Sequence, residues 1–463
     1  MQSHTEQGPQ KAPLRTLLWV VGIAFFMQML DASILNTALP AIAQSLDVSP
    51  LRMHAVVIAY MLTVAILIPA SGWLADRFGV RRIFLAAILI FTLGSLACAL
   101  SFSLPLLVAS RVLQGIGGAL LVPVGRLAIL RAVPRAHLAE ALSFITLPGL
   151  IGPLIGPTLG GLLVRYASWQ WIFLINLPVG LVGIFLTLRC MPGQDEKNSA
   201  AFDGGGFLLF ALFMTGCTLS MESLGEEALS LSTRLITGGA ALAALALYVR
   251  HAAKVAEPLF APRLFRTRNF TVGIAGNLFA RFGMGAMPFL TPLLLQLGLG
   301  YSAVQAGLAM LPITLGAIIG KSFVSRLIQA LGYPRFLTLN TLLVSAMLAA
   351  YALIDPGIPL AIILGIFTLA GIVNSLQFTG MNTIALLDLP DSDAGSGNSL
   401  LSAVMQLAMS MGVAMAAALL DVCTSGGQTT LQAFHSTCLV LAGVTAISSL
   451  IFFQARDARN ESI

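Results

Sequence analysis

The sequence predicts an all-α integral membrane protein, and three observations support this fold class. Of the 463 residues, 57% are hydrophobic and only 10% are charged, whereas soluble domains carry about 25% charged residues. Nearly the whole chain falls into apolar runs of about 20 residues, the length at which an α-helix spans a bilayer. Lys and Arg collect in alternate connections between these runs, as the positive-inside rule predicts for a multi-pass protein.

The apolar runs, divided at Pro, Gly and charged residues, predict fourteen transmembrane helices. The first run is interpreted as a retained span because no small-residue cleavage site follows it. The predicted limits are 16–40, 53–74, 83–102, 105–130, 138–164, 170–191, 204–223, 229–250, 270–296, 303–326, 336–354, 359–380, 397–420 and 434–454.

The placement of basic residues predicts that both termini are cytoplasmic. With the N-terminus inside, most of the 25 Lys and Arg residues fall in cytoplasmic segments, and Arg52, Arg165 and Arg234 fall outside. An odd number of spans would destroy this alternation, so the count is even. The same bias explains the net charge of +6 without a nucleic-acid partner.

An internal repeat predicts two similar halves. The segment "GWLADRFGVRR" begins at Gly72 and "SRLIQALGYPR" begins at Ser325. At an offset of 253 positions, Gly79 matches Gly332, while Asp76 matches Gln329. Both segments follow the second helix of a six-helix unit, and parallel halves of this kind are a transporter architecture. The predicted organisation is a cytoplasmic tail (1–15), an N-terminal six-helix bundle (16–191), an inserted transmembrane pair with linkers (192–269), a C-terminal six-helix bundle (270–454) and a second cytoplasmic tail (455–463).

Several motifs resemble one family of transporters. "GWLADRFGVRR", "RVLQGIGGA" (111–119) and "GLIGPLIGPTLGG" (149–161) resemble three motifs of the major facilitator superfamily. "LDASILNTALP" and "WQWIFLINLPVG" are similar to segments of its fourteen-span drug:proton antiporter branch. The resemblance covers nearly the whole chain. It implies two six-helix bundles plus an inserted helix pair, and proton-coupled export of drugs or toxic small molecules.

The loop motif has two interpretations. Gly79 permits a tight turn that a Cβ atom would obstruct, and basic residues surround Asp76. The loop is either a solvated turn that carries positive-inside charges or a charge latch at the cytoplasmic mouth, and the resemblance implies the latch. The predicted gating loop comprises Gly72, Asp76, Arg77, Gly79, Arg81 and Arg82.

The fifth predicted helix carries glycine at every fourth position. Such a row lets another helix approach closely, and proline removes backbone hydrogen bonds and can bend the helix. Static packing and a moving joint both fit this pattern, and the resemblance implies a flexing contact that seals the path against protons. The residues of this helix-packing motif are Gly152, Pro153, Gly156, Pro157, Gly160 and Gly161.

A polar cavity is predicted between the halves. Each charge inside a span costs at least about 2.5–3.5 kcal/mol on insertion scales, so such residues usually face a partner or a cavity. The resemblance places the first, fourth, ninth and twelfth helices around a central path, and these helices carry Asp31, Arg111 and Arg281. The other predicted cavity residues are Gln28, Asn36, Gln114, Asn277, Asn374 and Gln377. Arg126 is placed near the cytoplasmic end.

Asp31 is the predicted proton-coupling residue. Burial disfavours its ionised form and a nearby arginine favours it, so a rocking protein could switch Asp31 between the two forms. A permanent ion pair between Asp31 and an arginine, which only holds helices together, is the alternative.

Two cargo classes remain open. The first is lipophilic or cationic compounds, and the second is an anionic metabolite held by Arg111 and Arg281. An enzyme is disfavoured because no catalytic cluster or Walker-type loop is present, and the five cysteines lack metal-ligand spacing. The expected protein is a monomer of the bacterial inner membrane. Its expected partners are a small-molecule substrate, protons and lipid, and it needs no cofactor because the proton gradient supplies the driving force.

Overall fold

The computed structural model describes residues 11–134, 137–191, 201–222 and 231–456. Over these residues the chain forms α-helices with short connections. The predicted tail segments 1–10 and 457–463, and parts of the connections around the inserted pair, lie outside the described residues.

The first half of the chain contains eight α-helices within the described ranges. Pro69 separates the two parts of the second predicted span through a short 3₁₀ turn, Ile68–Ala70. The helices are α1 (Lys11–Ser45), α2 (His54–Leu67), α3 (Ser71–Phe78), α4 (Val80–Ala99), α5 (Leu104–Ala132), α6 (Leu138–Tyr166), α7 (Trp171–Leu174) and α8 (Asn176–Cys190).

The inserted pair and the second half follow the same pattern. Pro312 opens a new helix within the tenth predicted span, and a π turn at Leu294–Gly298 ends the ninth. The helices are α9 (Gly204–Glu222), α10 (Leu231–Ala252), α11 (Arg268–Leu293), α12 (Ala303–Ala309), α13 (Leu311–Lys321), α14 (Val324–Leu331), α15 (Tyr333–Tyr351), α16 (Leu360–Leu387), α17 (Asp391–Ser425) and α18 (Thr430–Phe452).

Helices form at all fourteen predicted places, but fewer of them qualify as spans. Within the described residues, twelve helices or helix pairs are long and apolar enough to cross a membrane. The two others are α6, which contains three prolines, and α15, which begins Tyr-Pro-Arg and carries Asn340 in its middle. The structure therefore supports a multi-pass protein with twelve candidate spans, and the count of fourteen stays a prediction.

The internal repeat is visible in the backbone. The eight-residue helices α3 and α14 end at Gly79 (φ 91°, ψ 136°) and Gly332 (φ 74°, ψ 159°). Side-chain-bearing residues rarely adopt these angles. Glycine at each position therefore lets the chain turn directly into the next helix, α4 or α15.

The two halves share a core at one end of the bundle and have separate cores at the other. We call the end that carries Lys11 and Arg456 the terminal end, and the opposite end the far end. At the far end, the C-terminal half of α1 joins α11 and α17 in one apolar core, which includes Ile34, Leu39, Phe289, Leu293 and Val413.

At the terminal end, α1, α4 and α5 form a core around Phe84 and Phe91, whereas α15, α16 and α18 form a different core around Phe336 and Phe452. Side chains also bond across the halves toward the far end. Gln296 Nε2 donates to the Thr37 carbonyl at 3.0 Å, and Thr158 Oγ1 donates to the Gly307 carbonyl at 3.2 Å. The halves thus share a core and hydrogen bonds toward the far end, whereas at the terminal end each half has a core of its own.

Candidate functional site

Asp31 lies at the centre of a buried hydrogen-bond network. Its Oδ2 accepts a bond from Arg111 Nη1 at 2.7 Å, and its Oδ1 accepts from Gln114 Nε2 at 2.8 Å and from Asn176 Nδ2 at 3.0 Å. Asp31 is 1% exposed and Arg111 is 2% exposed. The carboxyl group of Asp31 is therefore surrounded by one cation and two amide donors.

Four helices supply the network. Asp31 comes from α1, Arg111 and Gln114 from α5, and Asn176 from the first turn of α8, while Ser95 of α4 accepts bonds from Gln114 (2.8 Å) and Asn176 (3.2 Å). A Cβ atom at Gly94 would lie 2.5 Å from the Gln114 Cα atom. A glycine is therefore needed at this position for α4 and α5 to approach closely enough to join the network.

Arg111 also contacts two residues of α2. Its Nε donates to the Val56 carbonyl of α2 at 3.3 Å, and its guanidinium lies 4.3 Å from the centre of the Tyr60 ring. The ion pair between Asp31 and an arginine, one of the two predicted alternatives, is therefore present in this conformation.

Arg281 is a buried cation in a different environment. It is 4% exposed, its Nε donates to Asn277 Oδ1 at 3.0 Å, and its guanidinium lies 4.8 Å from the centre of the Phe378 ring. Within the described residues, Arg281 Nη2 has no hydrogen-bond partner. The Asn277 amide is itself fixed, since its Nδ2 donates to the Gly273 carbonyl at 2.9 Å. Protein contacts thus orient the Arg281 guanidinium. Its Nη2 atom can donate hydrogen bonds that no described residue accepts.

The remaining predicted cavity residues do not converge on one point. Gln28 is buried one turn before Asp31, and Asn36 donates to the Ala32 carbonyl of its own helix. Gln377 faces α15, where it accepts a bond from Asn340 and donates to Thr341, both at 2.8 Å. Asn374 is half-buried. The geometry therefore places Asp31, Arg111 and Gln114 together in the N-terminal half, and Asn277 with Arg281 in the C-terminal half.

Arg126 lies closer to the terminal end of α5. It is exposed, and its guanidinium lies 5.6 Å from the centre of the Phe25 ring of α1. Arg126 in α5 and Arg281 in α11 thus place one further guanidinium group in each half.

The predicted gating loop forms contacts within the N-terminal half. Asp76 of α3 forms an ion pair with Arg131 at the end of α5, and the Arg81 guanidinium donates to the Leu188 carbonyl of α8. Arg77 and Arg82 are exposed. A Cβ atom at Gly72 would meet no atom within 4 Å, so packing alone does not require glycine there.

The helix-packing motif of α6 contacts α1 of its own half and α12 of the other half. A Cβ atom at Gly152 would lie 2.7 Å from the Leu30 backbone nitrogen, and one at Gly160 would lie 2.6 Å from the Ile34 carbonyl oxygen, so this row brings α6 against α1. The backbone at Pro157 and the neighbouring Gly161 pack against α12 of the other half. Gly156 lies against Ser33, and the Pro153 carbonyl accepts a bond from Thr314 of α13 at 3.4 Å. The motif therefore lies at the contact between the two halves.

Sequence reasoning missed part of the network. Asn176 lies in "WQWIFLINLPVG", where the sequence indicated only a family resemblance, and Ser95 lies in an apolar run that gave no functional signal.

The sequence contains a second internal repeat. The segments "RVLQG" (111–115) and "NSLQF" (374–378) lie 263 positions apart and share Leu and Gln. This pairing matches Gln114 with Gln377 and Arg111 with Asn374. It predicts that the C-terminal counterpart of the network is uncharged.

Within the described residues, no group of His, Cys, Asp and Glu side chains could hold a metal ion. The groups that meet at Asp31 are one guanidinium, two amides and the Ser95 hydroxyl.

Comparison with known proteins gives matches over most of the chain. A family model described as "Major Facilitator Superfamily" matches residues 21–413. The chain is 49% identical over 448 residues to the "Putative multidrug resistance protein MdtD" of Salmonella heidelberg (strain SL476), which covers 95% of this chain and 94% of that protein. It is 48% identical over 458 residues to the protein of the same name from Klebsiella pneumoniae (strain 342), with 96% of each chain covered.

Solved structures match at the level of the fold. A D-xylose-proton symporter superposes with a TM-score of 0.68 at 14% identity, covering 95% of this chain and 97% of its own. A bacterial homologue of the human lysosomal transporter Spinster, in an inward-facing and unoccupied conformation, gives a TM-score of 0.64 at 15% identity, with 96% and 97% covered. At these identities the likeness concerns the fold alone.

Proposed function

Because the chain belongs to the major facilitator superfamily, a family of transporters and not of enzymes, we propose that it is a proton-coupled secondary transporter that exports small molecules by alternating access. We further propose fourteen spans with both termini in the cytoplasm of a bacterial cell, and a monomer as the working unit. On this orientation the terminal end faces the cytoplasm, and we propose that the halves part there to form an inward-open cleft between their separate cores.

The observation that carries the proton-coupling proposal is the burial of Asp31 against Arg111. Among the acidic residues of the sequence, Asp31 is the one that lies in the middle of a predicted span. Arg111, Gln114 and Asn176 donate to the carboxylate, and withdrawal of Arg111 would leave it buried without a cation, which favours the protonated form. A movement of α5 relative to α1 would therefore change the proton affinity of Asp31 with the conformation, as coupling requires.

The charges beside the cleft support one cargo class over the other. Arg111 is neutralised by Asp31, so the predicted anion site made of Arg111 and Arg281 reduces to Arg281. Two unit charges 4 Å apart interact by about 4 kcal/mol at an effective dielectric constant of 20. A cargo anion 4 Å from the Arg281 guanidinium would be attracted by about this energy, and a cargo cation at the same distance would be repelled by about the same energy. An organic anion that also has an apolar part is therefore favoured over the lipophilic or cationic compounds that the family resemblance implies.

The proton-coupling proposal can be tested in proteoliposomes that contain a pH-sensitive dye. Asp31→Asn should abolish substrate-dependent proton flux, because the amide has no titratable proton. Asp47→Asn, the same change at an exposed acid just after α1, is the matched control and should behave as the wild type. Proton flux that survives in Asp31→Asn would reduce the Asp31–Arg111 pair to a structural contact.

Cargo class can be tested by uptake of carboxyfluorescein, an anion, and ethidium, a cation, into inverted vesicles. Arg281→Gln should reduce anion transport strongly, whereas Arg281→Lys should retain part of it because the charge remains. Transport of ethidium that is unaffected by either change, together with no transport of carboxyfluorescein, would return the assignment to cationic compounds.

A further inference from the structure

The inserted pair α9–α10 is fixed to the segment that leads into the C-terminal half. Asp203, just before α9, accepts bonds from the backbone nitrogens of Gly206 (2.8 Å) and Leu259 (3.0 Å), and it lies 2.6 Å from His251 Nε2 at the end of α10. The Tyr248 hydroxyl donates to the Phe260 carbonyl at 3.0 Å and accepts from the Phe260 backbone nitrogen at 2.8 Å. These bonds join both inserted helices to residues 253–267, which lead directly into α11.

The same pair packs against α17 within the bundle. The hydroxyl oxygens of Thr218 in α9 and Ser410 in α17 lie 3.5 Å apart. Phe210 and Met214 of α9 share an apolar core with Phe282 of α11 and with Leu407 of α17. Hydrogen bonds and apolar packing therefore both attach the pair to the C-terminal half.

A smaller set of contacts reaches the N-terminal half. Ala65 of α2 takes part in the apolar core just described. At the terminal end, the Trp73 and Phe202 rings lie 4.7 Å apart, with an angle of 37° between their planes. Trp73 directly follows Gly72, the first residue of the predicted gating loop, and Phe202 immediately precedes Asp203. The ring pair thus connects the gating segment of one half to the anchored end of the inserted pair.

We propose that the inserted pair moves as part of the C-terminal half, and that the Trp73–Phe202 contact is a conformation-dependent latch that stabilises the arrangement open at the terminal end. This proposal rests on the proposed function in requiring that the two halves rock. Closing the cleft moves the halves relative to each other most at the terminal end, where this ring pair lies. The contacts of Asp203, Tyr248 and Thr218 lie within one moving body and stay intact.

The latch can be tested by measuring the width of the cleft with spin labels. Labels at Glu140→Cys in α6 and Ser325→Cys in α14, both at exposed positions, would report the separation of the halves in a background whose five native cysteines are replaced by alanine. An aromatic pair contributes enough to change a population ratio roughly two- to tenfold. Phe202→Ala should therefore lower the ratio of open to closed molecules by about this factor.

Control variants separate the latch from a general loss of packing. Leu208→Ala removes an exposed apolar side chain of α9 and should leave the distance distribution unchanged. Trp73→Ala should reproduce the effect of Phe202→Ala, and the double variant should add nothing further, because both changes remove the same ring contact between the two bodies. An unchanged ratio in Phe202→Ala, or additive effects in the double variant, would overturn the latch.

Cross-linking tests which body the pair follows. A disulfide between Thr218→Cys and Ser410→Cys should leave transport intact, whereas a short reversible cross-linker between Trp73→Cys and Phe202→Cys should arrest it until reduced. Arrest by the first cross-link would overturn the assignment of the pair to the C-terminal half. The spin-label measurement uses purified protein without cargo or a proton gradient. Its result can therefore contradict the latch while proton-coupled export is confirmed, or support the latch while proton-coupled export is contradicted.

Discussion

Neutral variants of the buried pair Asp31–Arg111 can separate the contribution of the pair to folding stability from its proposed role in proton coupling. Removing one partner of a buried ion pair leaves an uncompensated charge and typically costs about 3–5 kcal/mol. Arg111→Gln would leave the Asp31 carboxylate with the amide donors of Gln114 and Asn176 but without a cation. Asp31→Asn would leave the guanidinium of Arg111, which is 2% exposed, without its anion. Each single variant should therefore be destabilised by about 3–5 kcal/mol.

The double variant Asp31→Asn with Arg111→Gln should recover most of this loss. Both residues are then neutral amides that can hydrogen-bond to each other and to Gln114, so the double variant leaves no uncompensated buried charge, which is the main cost of removing one partner. Thermal unfolding of the purified protein, followed by size-exclusion chromatography after heating, would rank the four proteins. The double variant should lie near the wild type and both single variants well below it.

Coupling should not recover with stability. The double variant has no titratable group in the network, so substrate-dependent proton flux should be absent even though the protein is stable. Two results would refute this reasoning: a single variant as stable as the wild type, or proton-coupled export by the double variant.

Three further predictions concern glycines and one buried acid. Gly160→Ala places a Cβ atom 2.6 Å from a backbone carbonyl of α1, so α6 must shift; the midpoint of thermal unfolding and the export rate should both fall. Gly79→Ala should cost about 1–3 kcal/mol because φ is 91° there, whereas Gly72→Ala, with no atom within 4 Å of the new Cβ, should leave the unfolding midpoint unchanged. Burial raises the pKa of the Asp203 carboxyl. Hydrogen bonds from the His251 imidazole and from two backbone N–H groups lower this pKa by a larger amount, so it lies below its usual value. Asp203→Asn should thus lower stability at neutral pH, and the difference from the wild type should vanish as the pH falls through the depressed pKa, which unfolding curves between pH 7 and pH 3 would reveal.

Apolar runs and charge placement were sufficient to predict where the helices lie. Helices form at all fourteen predicted places, and the repeat at Gly79 and Gly332 carries matching backbone angles. The division of the second and tenth predicted spans into shorter helices depends on how the prolines within them bend the chain locally, which hydrophobicity does not encode.

Charge was the strongest sequence signal for the candidate site. Asp31, Arg111 and Gln114 could be grouped because an ionised residue within a span needs a partner. Asn176 and Ser95 were missed because neutral polar residues are inexpensive in helices, and their role appears only when α4, α5 and α8 are packed together. Gln377 was assigned to the cavity from its helix alone, whereas the rotation of α16 turns it toward Asn340.

The asymmetry between "RVLQG" and "NSLQF" has an evolutionary consequence. At the offset of 253 positions, Asp31 corresponds to Met284 and Gln28 corresponds to Arg281, so neither charged residue has a charged counterpart in the other half. On the proposed function, the N-terminal half is therefore specialised for ion exchange and the C-terminal half for the transported compound. Selection could then alter the chemistry around Arg281 and Phe378 without disturbing the carboxylate network. Related exporters with different cargoes are expected to diverge at these two positions while they retain Asp31, Arg111, Gln114 and Asn176.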